Sequence, residues 1–168
     1  GATTINSGTL QVGNGGASGT LNSGASIVNN GLLIYNSTSS SAINGLFGAG
    51  ITGSGNLIVR AGTLQALGNN SYTGWTQIDP GATFQPSSGP VGGLASPTVT
   101  NNGTLLFVKQ DALTYSGDIV GSGSVRKECN NGNNGNVTLL GTNTYTGGTY
   151  IIGGSFTFGD NATTGAGA

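Results

Sequence analysis

Apolar residues in this chain come in short runs, and polar residues punctuate them. Leu32-Leu33-Ile34-Tyr35, Leu57-Ile58-Val59 and Leu105-Leu106-Phe107-Val108 are such runs. No window carries apolar residues at i, i+3, i+4 and i+7 for more than one turn, so the helical period is missing. The runs are rich in β-branched residues and end at Gly or Asn-Gly. Asn-Gly pairs begin at Asn30, Asn44, Asn102, Asn131 and Asn134 and tolerate the positive φ of tight turns. The pattern predicts strand, turn, strand, turn from end to end.

The pattern also repeats. Asn29-Asn30-Gly31-Leu32-Leu33 recurs as Asn101-Asn102-Gly103-Thr104-Leu105, a spacing of 103 − 31 = 72. Ile51-Thr52-Gly53-Ser54-Gly55 recurs as Ile119-Val120-Gly121-Ser122-Gly123, and Ser71-Tyr72-Thr73-Gly74 as Thr144-Tyr145-Thr146-Gly147. A long period within one chain means an array built by stacking rather than a globule around one closed core. A sandwich or barrel would need alternating strands but no such period. A parallel β-helix would divide the repeat into three coils of roughly 20–25 residues. The expected fold is therefore all-β, a parallel β-helix of about seven coils and a length of about 35 Å. It would be one solenoid over residues 1–168, with approximate repeats 1–72 and 73–144 and a partial copy at 145–168. Alternate apolar residues should fill the core, among them Ile5, Leu33, Leu57, Leu64, Leu67, Phe84, Leu105, Val125 and Ile151. Residues 80–97 hold all 4 Pro and should loop out of the coil, because Pro cannot donate to a ladder. Residues 128–136 should form a second excursion.

Composition narrows the function. Gly makes up 34 of 168 residues, against an ordinary share of about 7%, yet no Gly-X-Y period exists, so collagen is excluded. Only 5% of residues are charged, unlike a disordered chain, and uncharged side chains suit ladders in which like stacks on like. With 4 Lys and Arg and a net charge of −1, no basic face for nucleic acid or an anionic membrane can form. No apolar stretch is long enough to span a bilayer and no charged segment leads into an apolar core, so neither a membrane span nor a signal peptide is expected within these residues. The start at Gly1 and the Gly-Ala end suggest a fragment of something longer.

Candidate chemistry is sparse. His is absent, so a Ser-His-Asp triad cannot be built. Gly53-Ser54-Gly55 and Gly121-Ser122-Gly123 have the wrong spacing for a nucleophile elbow and read as turns. The acids Asp79, Asp111, Asp118, Glu128 and Asp160 are dispersed, and zinc or calcium ligand spacings are absent. No enzyme activity, metal or cofactor is expected. Cys129 is the only cysteine, so no internal disulfide forms, and it reads as an incidental thiol. Among the aromatics, Tyr72, Trp75, Tyr145 and Tyr150 fall near equivalent repeat positions. Tyr72, Trp75 and Tyr150 are the candidate ligand contacts, as a sugar-stacking strip. The competing reading is a packed ladder or turn cap. Trp75 is the best candidate for exposure, because its counterpart is Gly148.

The segment GSGSVRK at 121–127, followed by NVTLLGTNTYTGGTYIIGGSF at 136–156, resembles the passenger-associated transport repeat of bacterial autotransporters. GSGNLIVRAGTLQALGNNSYTGWTQIDPGATF at 53–84 is similar to it too, with Trp75 in place of a Gly. The resemblance implies a right-handed parallel β-helix within a secreted passenger, which crosses the outer membrane through its own C-terminal β-barrel and folds at the bacterial surface. The scarcity of Cys is similar to that family. It further implies a structural or adhesive segment that meets host cell-surface or matrix molecules, glycans or other copies of itself. Two alternatives stand beside it. One is an export module whose folding outside the cell pulls the passenger through. The other is a β-helix that binds or cleaves polysaccharide.

Overall fold

The computed structural model of the chain describes residues 1–19, 21, 26–38, 50–88, 91–129 and 135–159. The described residues contain strands, turns and bends but no helix. Each apolar run becomes a short strand, and the strands of successive coils pair in parallel to form a β-solenoid with three faces.

The first face stacks β1 (Thr3–Ile5), β3 (Ile27–Asn29) and β5 (Ile51–Thr52). It continues without regular strands, through Ser71 N donating to Ile51 O at 2.8 Å and Ser96 Oγ donating to Gly74 O at 2.9 Å. It resumes as β14 (Leu113–Tyr115), β17 (Asn136–Leu139) and β19 (Ser155–Phe158). The second face is one six-stranded sheet of β2 (Thr9–Val12), β4 (Leu32–Asn36), β6 (Asn56–Ala61), β8 (Thr76–Ile78), β12 (Thr98–Asn101) and β15 (Asp118–Val120). The third is a five-stranded sheet of β7 (Thr63–Gln65), β9 (Thr83–Gln85), β13 (Thr104–Val108), β16 (Ser124–Glu128) and β18 (Thr149–Ile151).

On the second face one inward row runs Leu10–Leu33–Leu57–Thr76–Val99–Ile119–Asn143. Its six steps give (143 − 10)/6, or about 22 residues per coil, within the expected range. The described stack makes about six turns, close to the expected seven, and at about 4.8 Å per rung it is about 29 Å long.

The registers correct one expectation. Three coils above Leu33 lies Val99, only 66 residues on (99 − 33). The sequence equivalent of Leu33 is Leu105, which lies on the third face, in register with Phe84 and Val125. The repeat is thus three coils plus one face, and each copy is rotated by a third of a turn against the other.

What recurs is a corner spanning three levels. At the first level Asn29 and Asn101 are fully buried. Their Nδ2 groups donate to Asn56 O and Ser124 O, each at 2.8 Å, and their Oδ1 atoms accept from Gly31 N and Gly103 N, each at 3.2 Å. One level up, Gly55 and Gly123 sit so close that a Cβ would strike the carbonyl oxygens of Gly31 and Gly103. Two levels up, the Tyr72 and Tyr145 hydroxyls bond those of Thr76 and Thr149, at 2.6 and 2.5 Å. Backbone crowding at this corner accounts for part of the Gly content: no other residue fits.

The core lies inside the three faces. Leu64, Phe84, Leu105 and Val125 form an inward row on the third face, each fully buried, and each such burial is worth about 1.5–3 kcal/mol. Two expected core residues lie elsewhere. Leu67 is half-buried, outside any strand. Ile151 points inward in register with Lys127 but is 53% exposed, because no described strand stacks beyond β18. The excursion expected at 80–97 begins later, since Thr83–Gln85 keeps its place in the third face. The chain then leaves the coil in a hairpin of β10 (Ser87–Ser88) and β11 (Val91–Gly92), the antiparallel pair among the described residues. Of the second excursion, residues 130–134 lie outside the described residues; β16 runs to Glu128 and β17 starts at Asn136.

Candidate functional site

The three aromatic candidates part company in the structure. Tyr72 is fully buried, and its ring offers no surface to a ligand. Trp75 is 41% exposed, at the corner leading into β8 on the second face, with its N–H donating to Asn56 Oδ1 at 3.1 Å. Tyr150 is 54% exposed on the outer side of β18, on the third face. The structure does not bring Trp75 and Tyr150 into one strip; the rotation between repeat copies sends them to different faces.

The described acids are each engaged with a neighbour. Asp79 pairs with Arg60 at 3.5 Å and accepts from Gln77 Nε2 at 2.6 Å. Glu128 pairs with Arg126 at 2.7 Å, and Asp118 Oδ1 accepts from Thr142 N at 2.8 Å. Asp111 faces Lys109, whose ammonium is pushed to a lower pKa by burial and held up in part by that carboxylate. Asp160 lies outside the described residues. Among the described residues no three His, Cys, Asp or Glu side chains gather. Lys127 is fully buried in register between Phe107 and Ile151, with Nζ donating to Glu128 O at 3.0 Å. Burial lowers its pKa, and the neighbouring Cys129 opposes that shift.

Two surface hollows stand out among the described residues. One, of about 440 Å³, lies on the first face between residues 94–97 and 114–117. Its best polar groups are already used, since Tyr115 OH donates to Ser96 O at 2.8 Å and Ser96 Oγ donates to Gly74 O and Thr98 O. The other, of about 360 Å³, is an open groove on the outer side of the third face. Strand alternation builds it. Leu64, Phe84 and Leu105 point in, so Thr63, Thr83 and Thr104 point out in register on one side. Gln65, Gln85 and Leu106 form the other side, with Gln65 Nε2 donating to Gln85 Oε1 at 2.9 Å. Arg126 and Glu128 close one end, and the outer row carries on from Arg126 to Tyr150. Gln85 is 5% exposed although it lines the groove. Reading the sequence missed this groove. Its signal was the pair of Thr-x-Gln strands, TLQ at 63–65 and TFQ at 83–85, whose polar residues flank one apolar position.

No protein-family model matches the chain, and no solved structure matches it. Over 62 residues it is 40% identical to the adhesin BmaC autotransporter of Brucella suis biovar 1 (strain 1330). The match covers 37% of this chain and 2% of that protein, so the chain spans a small part of its relative's length. Partial similarity to an autotransporter adhesin, on a chain folded as a parallel β-solenoid, is consistent with an autotransporter passenger.

Proposed function

We propose that this chain is a structural and adhesive segment of a secreted autotransporter passenger, held at the bacterial surface. The observation that carries the reading is the 40% identity to an autotransporter adhesin on a β-solenoid framework. The solenoid supports it physically. Its stability comes from coil-on-coil contacts, so it projects length and lateral surface without needing a closed core. Solvent-facing side chains are mainly hydroxyls and amides, which suits contact through many weak hydrogen bonds. The passenger, its β-barrel and its surface location belong to this proposal. So does the absence of catalysis: the described acids have structural neighbours, and the sequence holds no His.

The test is adhesion by beads coated with the 168-residue chain to host epithelial cells and to immobilised matrix proteins, with Trp75→Ala beads alongside. Saturable binding that free chain competes away is the expected result. Beads that bind no better than albumin-coated ones overturn the adhesive part. Loss in the Trp75→Ala beads alone would locate the contact at the corner leading into β8.

A further inference from the structure

We infer that the groove on the third face is a binding site whose ligand is an uncharged linear glycan lying along the solenoid axis. The inference rests on the adhesive reading above and names its ligand class.

Four observations carry it. First, the groove is walled by registered pairs. Thr63, Thr83 and Thr104 repeat one rung apart, as do Gln65 and Gln85. The rung spacing is about 4.8 Å, close to the advance of one pyranose unit in an extended β-linked chain. A glycan along the axis therefore meets a hydroxyl and amide pair on two successive rungs, and the Thr104 hydroxyl with the apolar Leu106 side chain on the third. Second, the inventory suits sugar hydroxyls. Thr hydroxyls and Gln amides both donate and accept, and a sugar hydroxyl does both as well. Third, charge excludes the polyanionic glycans. The cation at the groove is Arg126, and Glu128 neutralises it at 2.7 Å. A sulfated chain would meet no uncompensated positive charge and would face a carboxylate. Fourth, the site is built rather than incidental. Gln85 is almost wholly buried yet lines the groove, fixed by Gln65 at 2.9 Å. Arg126 Nε is buried with no acceptor among the described residues. The volume of about 360 Å³ lies within the roughly 300–1,000 Å³ of small-molecule sites. Beyond Arg126 the outer row ends on the exposed Tyr150 ring, a surface on which a further sugar can stack.

The experiment is an NMR titration of the 168-residue chain with cellohexaose, chitohexaose and β-mannohexaose, with a heparin hexasaccharide for comparison. Side-chain amide signals of Gln65 and Gln85 report on the groove. One or more uncharged hexasaccharides should shift these signals saturably. Thr83→Lys, which fills the groove from a half-buried position on the strand's outer side, should weaken binding at least about tenfold, the equivalent of one lost hydrogen-bond network of about 1.4 kcal/mol. Gln65→Ala should weaken it less, and both variants should keep the amide spectrum of the folded chain.

Three results overturn the inference: no shift with any uncharged hexasaccharide, shifts confined to other faces, or stronger binding of heparin than of the uncharged set. The bead assay separates this from the adhesive reading. Thr83→Lys beads that adhere as well as the original remove the groove and leave adhesion standing. Hexasaccharide binding by a chain whose beads do not adhere keeps the groove and removes adhesion.

Discussion

The Tyr72–Thr76 hydroxyl pair gives the sharpest energetic test of the repeated corner. Both residues are fully buried, and the two oxygens lie 2.6 Å apart. Tyr72→Phe deletes one hydroxyl and leaves Thr76 Oγ1 buried without its partner. Thr76→Val does the converse, stranding the Tyr72 hydroxyl. A stranded buried group costs about 1–3 kcal/mol, whereas removing both partners is close to neutral. Each single change should therefore destabilise by about 1–3 kcal/mol, the double change by less than either, and the coupling should be at least as large as one single change, about 1–3 kcal/mol or more. For a chain of this length that is roughly 2–4 °C of melting temperature per kcal/mol. The assay is urea unfolding of the four members of the cycle, read at unchanged slope so that midpoints report stability. The structure carries its own control. Tyr145 and Thr149 make the same bond at 2.5 Å, but Thr149 is only half-buried, in the last described coil, where water can replace a lost partner. Its coupling should be the smaller of the two. Additivity within about 0.5 kcal/mol at Tyr72–Thr76, or a larger coupling at Tyr145–Thr149, would refute the reasoning.

Other expectations follow from the same coordinates. Burial raises the hydroxyl pKa of Tyr35, Tyr72, Tyr115 and Tyr145, so the fold holds their protons more tightly than the unfolded chain does. Stability from these groups is intact below about pH 10, the unfolded value, and is lost as pH rises above it; Lys109 and Lys127, lowered by burial, act in the opposite sense. In a Tyr150→Phe variant, which removes the exposed tyrosine, tyrosinate absorbance should therefore appear together with loss of β-sheet circular dichroism, and tyrosinates forming with the fold intact would contradict this. Gly123→Ala should cost about 1–3 kcal/mol or more, because its Cβ meets the Gly103 carbonyl, which belongs to rigid backbone; an unchanged denaturation midpoint would show that the corner can open. Lys127→Met should leave stability unchanged or higher, since it removes a desolvated ammonium from the core. A loss above about 2 kcal/mol would mean that contacts such as Nζ to Glu128 O outweigh that desolvation.

Strand positions were legible from the sequence because they depend on local alternation. Leu57, Phe84, Leu105 and Val125 are buried where their runs placed them. Tyr35 and Tyr115 were not legible as core, because a Tyr in a polar, Gly-rich context reads equally well as an outward aromatic. Only the stacking of coils decides the matter, and stacking is nonlocal. Exposure at Ile151 has the same origin: it sits in an inward register position, but burial there requires a further rung. The groove escaped notice for a related reason. A Thr or Gln beside an apolar run is an ordinary outward residue in one coil. It becomes a wall only when the coil above places the same residue in register.

That dependence on register also explains why the repeat misleads about surface. At about 22 residues per coil, a 72-residue unit overshoots three coils by one face. Inward chemistry survives this, since all three faces share one core and an apolar residue serves on any of them. Outward chemistry does not. Trp75 and Gly148 occupy the same place in the repeat but open onto different faces, and Gln77 on the second face corresponds to Tyr150 on the third. A contact residue copied with the repeat is thus turned by a third of a turn, and cannot extend the row it came from. Long outward rows must instead be assembled from neighbouring coils without regard to the repeat boundary, as Thr63 of the first copy and Thr83 and Thr104 of the second are. In this solenoid the repeat specifies the corner and the core, while ligand-facing rows depend on coil length, about 20 residues per step along the groove.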